Sequence, residues 1–85
     1  MPAVVLVGHD HVCPSCGPVT VTSGSGSFSV NGRAVARVGD TLGCGAVISS
    51  GSALMTIQGQ PVARIGDTTD HGGVLENGDA SWLIN

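Results

Sequence analysis

A fourteen-residue phrase occurs twice in this chain. Residues 32–45 and residues 59–72 lie 27 positions apart and share eight of their fourteen residues, including Val-Ala-Arg, Gly-Asp-Thr and the terminal glycine. The same offset carries Gly51 to Gly78, so that residues 77–85 match residues 50–58. A third unit therefore starts near the C-terminus and stops after its first strand. The apolar run at residues 3–7, followed by Gly8, reads as the missing return strand. This arrangement predicts that the first and last strands pair and close a pseudo-threefold ring of hairpins. Closure has a physical motive, because a lone hairpin is barely stable in water and open strand edges invite aggregation.

The local patterns agree with an all-β chain. Residues 3–7 form a short Val-rich run, too short for a helix, which reads as a buried strand. Residues 19–22 and 27–31 alternate and are rich in β-branched or aromatic side chains, as strands are. Asn31-Gly32 is a strong hairpin signal, and Gln58-Gly59 repeats it. Further strands are expected at residues 33–38, 46–48, 53–58, 61–65 and 80–84. Residues 8–18, 39–45 and 67–73 read as loops, the first punctuated by Pro14, Gly17 and Pro18.

Those three loops carry the side chains that can hold a metal. Aligning Gly8, Gly39 and Gly66 places Cys13, Cys44 and His71 in one register, with His11 two residues before Cys13. One ligand from each loop and a second from the first makes four, the number a closed tetrahedral zinc site needs. Two choices stay open at this level. His9 and His11 fall on the same side of an extended segment, and Cys16 competes with Cys13. Asp40 and Asp67 sit in Gly-Asp-Thr turns, where short carboxylates bond nearby backbone N–H groups, and Arg37 and Arg64 are expected to bridge loops. With no recognisable Ser-His-Asp order or phosphate loop, the chain is not expected to be an enzyme.

Composition narrows the partners. Eighty-five residues make one domain, 1–85, with a single Phe, a single Trp and 14 glycines. A core this small commonly needs a staple such as a metal or oligomerisation. Only 11% of residues are charged and the net charge is −3, which argues against a nucleic-acid partner. So few charges on a hydrophobic chain also imply an apolar face for a protein partner. The run at residues 3–7 has no basic flank and is too short for a signal peptide, so synthesis in the cytoplasm is expected.

The pattern Gly59-x-Pro61-Val62-Ala63-Arg64-Ile65-Gly66-Asp67-x-x-x-His71-Gly72-Gly73 resembles the PAAR-repeat family. The positions of the naming tetrapeptide read Pro61-Val62-Ala63-Arg64 and Ala34-Val35-Ala36-Arg37, a mild departure in both copies. The resemblance covers nearly the whole chain and includes the His11-x-Cys13-Pro14 start. It implies a small cone of short hairpins, stapled by one metal ion near its vertex and held by His11, Cys13, Cys44 and His71. Zinc is the implied metal, one per chain, with iron as the other candidate. The implied role is a structural tip that caps a homotrimeric VgrG-like spike of a type VI secretion system or a phage-like contractile injection machine. It would bind one copy per trimer, with effector proteins as further partners and transient contact with a target membrane. A small zinc-stabilised binding module or effector adaptor is the alternative.

Overall fold

The computed structural model describes residues 2–84, so the ends of the expected 1–85 domain, Met1 and Asn85, lie outside the described residues. Eight short strands run in chain order: β1 (Ala3–Val4), β2 (Asp10–Cys13), β3 (Gly17–Thr20), β4 (Ser29–Val30), β5 (Arg33–Ala34), β6 (Thr56–Ile57), β7 (Gln60–Pro61) and β8 (Asp79–Leu83). They pair antiparallel as β1–β8, β2–β3, β4–β5 and β6–β7. Among the described residues no helix is long and apolar enough to cross a membrane.

The β4–β5 and β6–β7 hairpins turn where the sequence places them. Asn31 and Gly32 have φ of 52° and 80°, and Gln58 and Gly59 have 53° and 81°. Two successive positive φ values are the requirement of a type I′ turn, whose twist matches that of its strands. The third hairpin is assembled from the two ends of the chain. Ala3 faces Leu83 and Val4 faces Asp79, and the Ile84 N–H donates to the Pro2 carbonyl at 2.7 Å.

The threefold relation is explicit in the backbone. Leu6 bridges Val35, Arg37 bridges Val62, and Arg64 bridges Val4, so each copy hands on to the next and the last returns to the first. At the centre, three N–H groups close a cycle. Val5 donates to Ala63 at 3.1 Å, Ala63 to Ala36 at 2.9 Å, and Ala36 to Val5 at 2.9 Å. Val5, Ala36 and Ala63 are fully enclosed. Side chains pack in layers above and below this ring. One layer gathers Val5, Val21, Ala36, Leu42, Ala46, Ile48, Ala63 and Leu75; the other gathers Val4, Leu6, Val35, Ile57, Val62 and Ile84. Each fully buried Val, Leu or Ile contributes roughly 1.5–3 kcal/mol.

The structure differs from the sequence expectation in residues 8–18, which are not a loop throughout. Asp10–Cys13 pairs residue for residue with Gly17–Thr20. The reason is an insertion. The Gly8 N–H bonds Val21, whereas Gly39 bonds Ile48 and Gly66 bonds Leu75, so the first arm is four residues longer (13 against 9). The single bridges Thr41–Val47 and Thr68–Val74 of the other copies become a four-pair ladder here. Residues 46–48 likewise make only isolated bridges, because each segment meets successive partners for one residue at a time.

His9 occupies the place of Asp40 and Asp67. Its Nδ1 accepts the Leu6 N–H at 3.0 Å, as the Asp40 and Asp67 carboxylates accept the N–H groups of Arg37 and Arg64 at 2.7 and 2.6 Å. An accepting Nδ1 means a neutral ring with its proton on Nε2. Burial first, then the positive charge of Arg33, push the His9 pKa below its usual value, against smaller opposing effects of Asp79 and Asp10.

Two predictions follow from this geometry. A Cβ on Gly51 would lie 2.9 Å from the Val62 carbonyl oxygen, as one on Gly24 would lie 2.8 Å from that of Val35, whereas a Cβ on Gly26 meets nothing. Gly51→Ala should therefore cost about 1–3 kcal/mol through forced backbone movement, and Gly26→Ala close to nothing, both read by chemical denaturation. For His9 the folded pKa is lowered, so its contribution is present above the unfolded pKa of about 6.5 and is lost as pH falls below that value through the lower folded pKa. His9→Asp should flatten the decline of Tm between about pH 7 and pH 5 relative to wild type.

Candidate metal centre

Three hairpin turns converge at one end of the molecule. In two of them the Gly-Asp turn is clamped from within. Asp40 accepts from Arg37 Nε at 3.3 Å and Asp67 from Arg64 Nε at 3.1 Å, beside the backbone bonds above. The arginines also reach the neighbouring copy, Arg37 to the Gln58 side chain at 2.6 Å and Arg64 to the Gly51 carbonyl at 3.4 Å. Beyond the clamp the chain reverses tightly. Leu42 N–H bonds Ala46 and Gly45 N–H bonds Leu42, while Thr69 bonds Gly73 and Gly72 bonds Thr69. Gly45 and Gly72 take φ of 86° and 84°, a conformation open mainly to glycine. These turns present Cys44 and His71 inward. The β2–β3 turn, closed by Cys16 N–H to the Cys13 carbonyl at 3.3 Å, presents two cysteines.

The ligand atoms of Cys13, Cys16, Cys44 and His71 all lie within 4.8 Å of one another. Cys13 Sγ is 3.5 Å and Cys44 Sγ 3.8 Å from His71 Nδ1. A tetrahedron with metal–sulfur bonds of about 2.3 Å and metal–nitrogen bonds of about 2.0 Å has S···N edges of about 3.6 Å and S···S edges of about 3.8 Å. The three-cysteine, one-histidine cluster thus has the spacing of a metal site. Asp70 Oδ1 lies 4.0 Å from His71 Nε2 and is itself tied to the Val47 N–H at 2.8 Å. It stands on the side where a carboxylate keeps the second ring proton and leaves Nδ1 to the metal. With a metal bound, four protein ligands would close the coordination shell and leave no position for a reacting water.

Of the four residues expected from sequence, the fold brings Cys13, Cys44 and His71 together. His11 is placed elsewhere. It lies in β2 opposite Val19, is buried, and among the described residues neither ring nitrogen has a hydrogen-bond partner. Its ring fills the space beside Gly73, where a Cβ would come within 2.6 Å of Nε2. Cys16 takes the fourth corner of the cluster. The Cys13-x-x-Cys16 spacing, which fits two ligands across one tight turn, was the available signal for it.

The thiols are unequal. Burial raises the Cys13 pKa, but hydrogen bonds from His71, from the Ser15 backbone, from Cys44 and from the Cys16 backbone outweigh it and bring it down to about 6. Its neighbour Cys16 is pushed up to about 11, first by its hydrogen bond with Cys44 and then by burial. A poised thiolate beside a protonated thiol suits metal capture, since binding displaces the remaining protons.

The PAAR motif matches residues 1–50 and 46–77. This chain belongs to the PAAR motif family. Against curated proteins it has no significant match. PAAR proteins are non-enzymatic structural tips, known from the spikes of type VI secretion systems, in keeping with the closed cluster found here.

Titrated with zinc at about pH 7, the metal-free protein should take up about one ion and release protons, because cysteine ligands bind as thiolates. Calorimetry in two buffers of different ionisation enthalpy reads that release directly. Binding without proton release would count against thiol ligation of the ion. Cys44→Ser and His71→Ala should each abolish tight binding.

Proposed function

We propose that this PAAR chain is a single tip domain, one copy of which caps the blunt end of a homotrimeric VgrG-like β-helical spike and sharpens it. The observation that carries this reading is the cyclic set of bridges, Leu6–Val35, Arg37–Val62 and Arg64–Val4, by which one chain presents three similar edges to a threefold axis. The hairpin end supports it. Phe28, Met55 and Trp82 stand at equivalent positions, 27 residues apart, with Phe28 stacked on Trp82 at 5.4 Å. Phe28 and Met55 are exposed, as are Leu54 and Leu83, and Leu54 is 77% so. Large apolar side chains left in water on a chain this poor in charge suit burial against a partner.

The role is mechanical. A rigid point concentrates the force of contraction on the target envelope, and the metal ties three turns together at that point. We assign the ion as zinc, one per chain, because a thiolate-rich tetrahedral set selects it and because it has no redox chemistry of its own. Cys13, Cys44 and His71 are its ligands. Cys16 is the fourth by position, and His11 is its competitor, being buried with its ring nitrogens unmet. Zinc content of Cys16→Ser and His11→Ala separates them, since the true ligand is the one whose loss empties the site. The tip would be made in the cytoplasm and carried outward on the spike, with contact to the target membrane and any effector cargo confined to delivery.

Co-expression with a trimeric spike protein tests the assembly. Native mass measurement should give one tip per trimer, and Leu54→Glu combined with Phe28→Glu should abolish the complex while leaving metal content unchanged. A three-to-three complex, or tight binding to a monomeric protein, would overturn the symmetry match and favour a binding module or adaptor.

A further inference from the structure

We infer that the metal centre doubles as an oxidation-sensitive release site, in which a Cys13–Cys16 disulfide ejects the ion; this rests on the reading of the cluster as the metal site. The two cysteines close one four-residue turn, with the Cys16 N–H on the Cys13 carbonyl at 3.3 Å. A turn of that kind keeps its end Cα atoms within about 7 Å, and a disulfide spans Cα separations of about 4.4–6.8 Å. Their sulfur atoms already lie within 4.8 Å, so side-chain rotation can bring them together without moving the strands. Exposure orders the attack. Cys16 is exposed, Cys44 is half-buried on another hairpin, and Cys13 lies enclosed behind them.

The chemistry balances with a small-molecule disulfide as the oxidant. The Cys16 thiolate attacks one sulfur of that disulfide, and one thiolate leaves. The Cys13 thiolate then attacks Cys16 Sγ in the mixed disulfide, and the second thiolate leaves. Two electrons pass from the two cysteine sulfurs to the small molecule, and no proton is needed when both cysteines start as metal-bound thiolates. The ion keeps its charge but retains only Cys44 and His71, too few for a closed site. The layer around Val4, Leu6 and Ile57 is separate from the one on which Cys44 packs, so the oxidised chain keeps its base and loses the tie at its tip. A site of this build stays loaded among reduced thiols and empties in an oxidising compartment.

The test uses the zinc-loaded wild-type chain, oxidised glutathione, a zinc indicator and peptide mass mapping after alkylation of free thiols. The expected result is release of the bound zinc in step with loss of two thiols, a Cys13–Cys16 bridge, an alkylated Cys44, and reloading after dithiothreitol with added zinc. Release of zinc with all three thiols still free, a bridge that includes Cys44, or a stable glutathione adduct on Cys16 would each overturn it. Should the chain take up no zinc at all, the metal assignment fails, and mapping the same oxidised sample then tests the Cys13–Cys16 bridge by itself: its absence in metal-free protein overturns the bridge as well.

Discussion

Three backbone hydrogen bonds among Val5, Ala36 and Ala63 set the terms for the rest of this molecule. Each residue gives one bond to the next copy and receives one from the previous, so none of the three strands can be placed without the other two. Their side chains meet where three strands cross, which is why two are alanine and the third no larger than valine. The ring divides each strand. Ala34 and Val35 lie on the hairpin side, Val38 and Gly39 on the metal side, and the two apolar layers form where the residues flanking the ring turn inward. The glycines Gly24, Gly51 and Gly78 belong to the same constraint. A Cβ at any of them would press on the carbonyl oxygen of Val35, Val62 or Val4, the residues just before the ring members. Much of the high glycine content and the scarcity of aromatic bulk reflects this close approach of backbones.

The closure of the ring was legible because it is written as repetition. Eight identities in fourteen residues and a third partial copy suffice to pair β1 with β8 before any geometry is known. Turn chemistry was legible too, since Asn31-Gly32 and Gln58-Gly59 specify left-handed backbone on their own. What escaped lies where copy one departs from the others. Pro14, Pro18 and the Cys and His residues gave residues 8–18 the look of a loop, while four inserted residues lengthen a single bridge into the β2–β3 ladder. Register counted forward from Gly8 carries no information about how that longer arm ends, and so it left Cys13 and Cys16 as competitors rather than as two members of one cluster. The role of His9 was hidden for a related reason. Imidazole and carboxylate share one capability, accepting a backbone N–H, and side-chain class alone does not display it.

The metal cluster and the apolar layers do different work. The layers hold the strands, and each turn at the far end is tied by local contacts such as the Arg37–Asp40 and Arg64–Asp67 clamps. These clamps are short-range, linking residues three apart, and do not by themselves bind one turn to another. Cys13, Cys16, Cys44 and His71 come from three turns that are distant in sequence, whose arms meet through Val21, Leu42, Ile48 and Leu75 and through backbone bonds such as Gly43 N–H to Thr20 and Asp70 N–H to Val47. A shared ion would add a cross-link at their tips, and in small modules such a link is worth on the order of 10 kcal/mol.

A symmetry conflict explains why copy one is the odd copy. Three equivalent turns offer three ligands around an axis, whereas a closed tetrahedral site requires four. The fourth must break the threefold relation somewhere. Breaking it at the hairpin end would spoil the three similar edges there, with Phe28, Met55 and Trp82 in matching places. The chain breaks it at the other end instead. The longer β2–β3 arm turns between Cys13 and Gly17, so that two thiols stand where the other copies provide one side chain each. On the outside of that arm Val12 projects into solvent at 67% exposure, on the outward face of a strand whose His11 and Cys13 are buried. Near-symmetry at the hairpin end and asymmetry at the cluster end are thus reconciled by four residues inserted on one side of the ring.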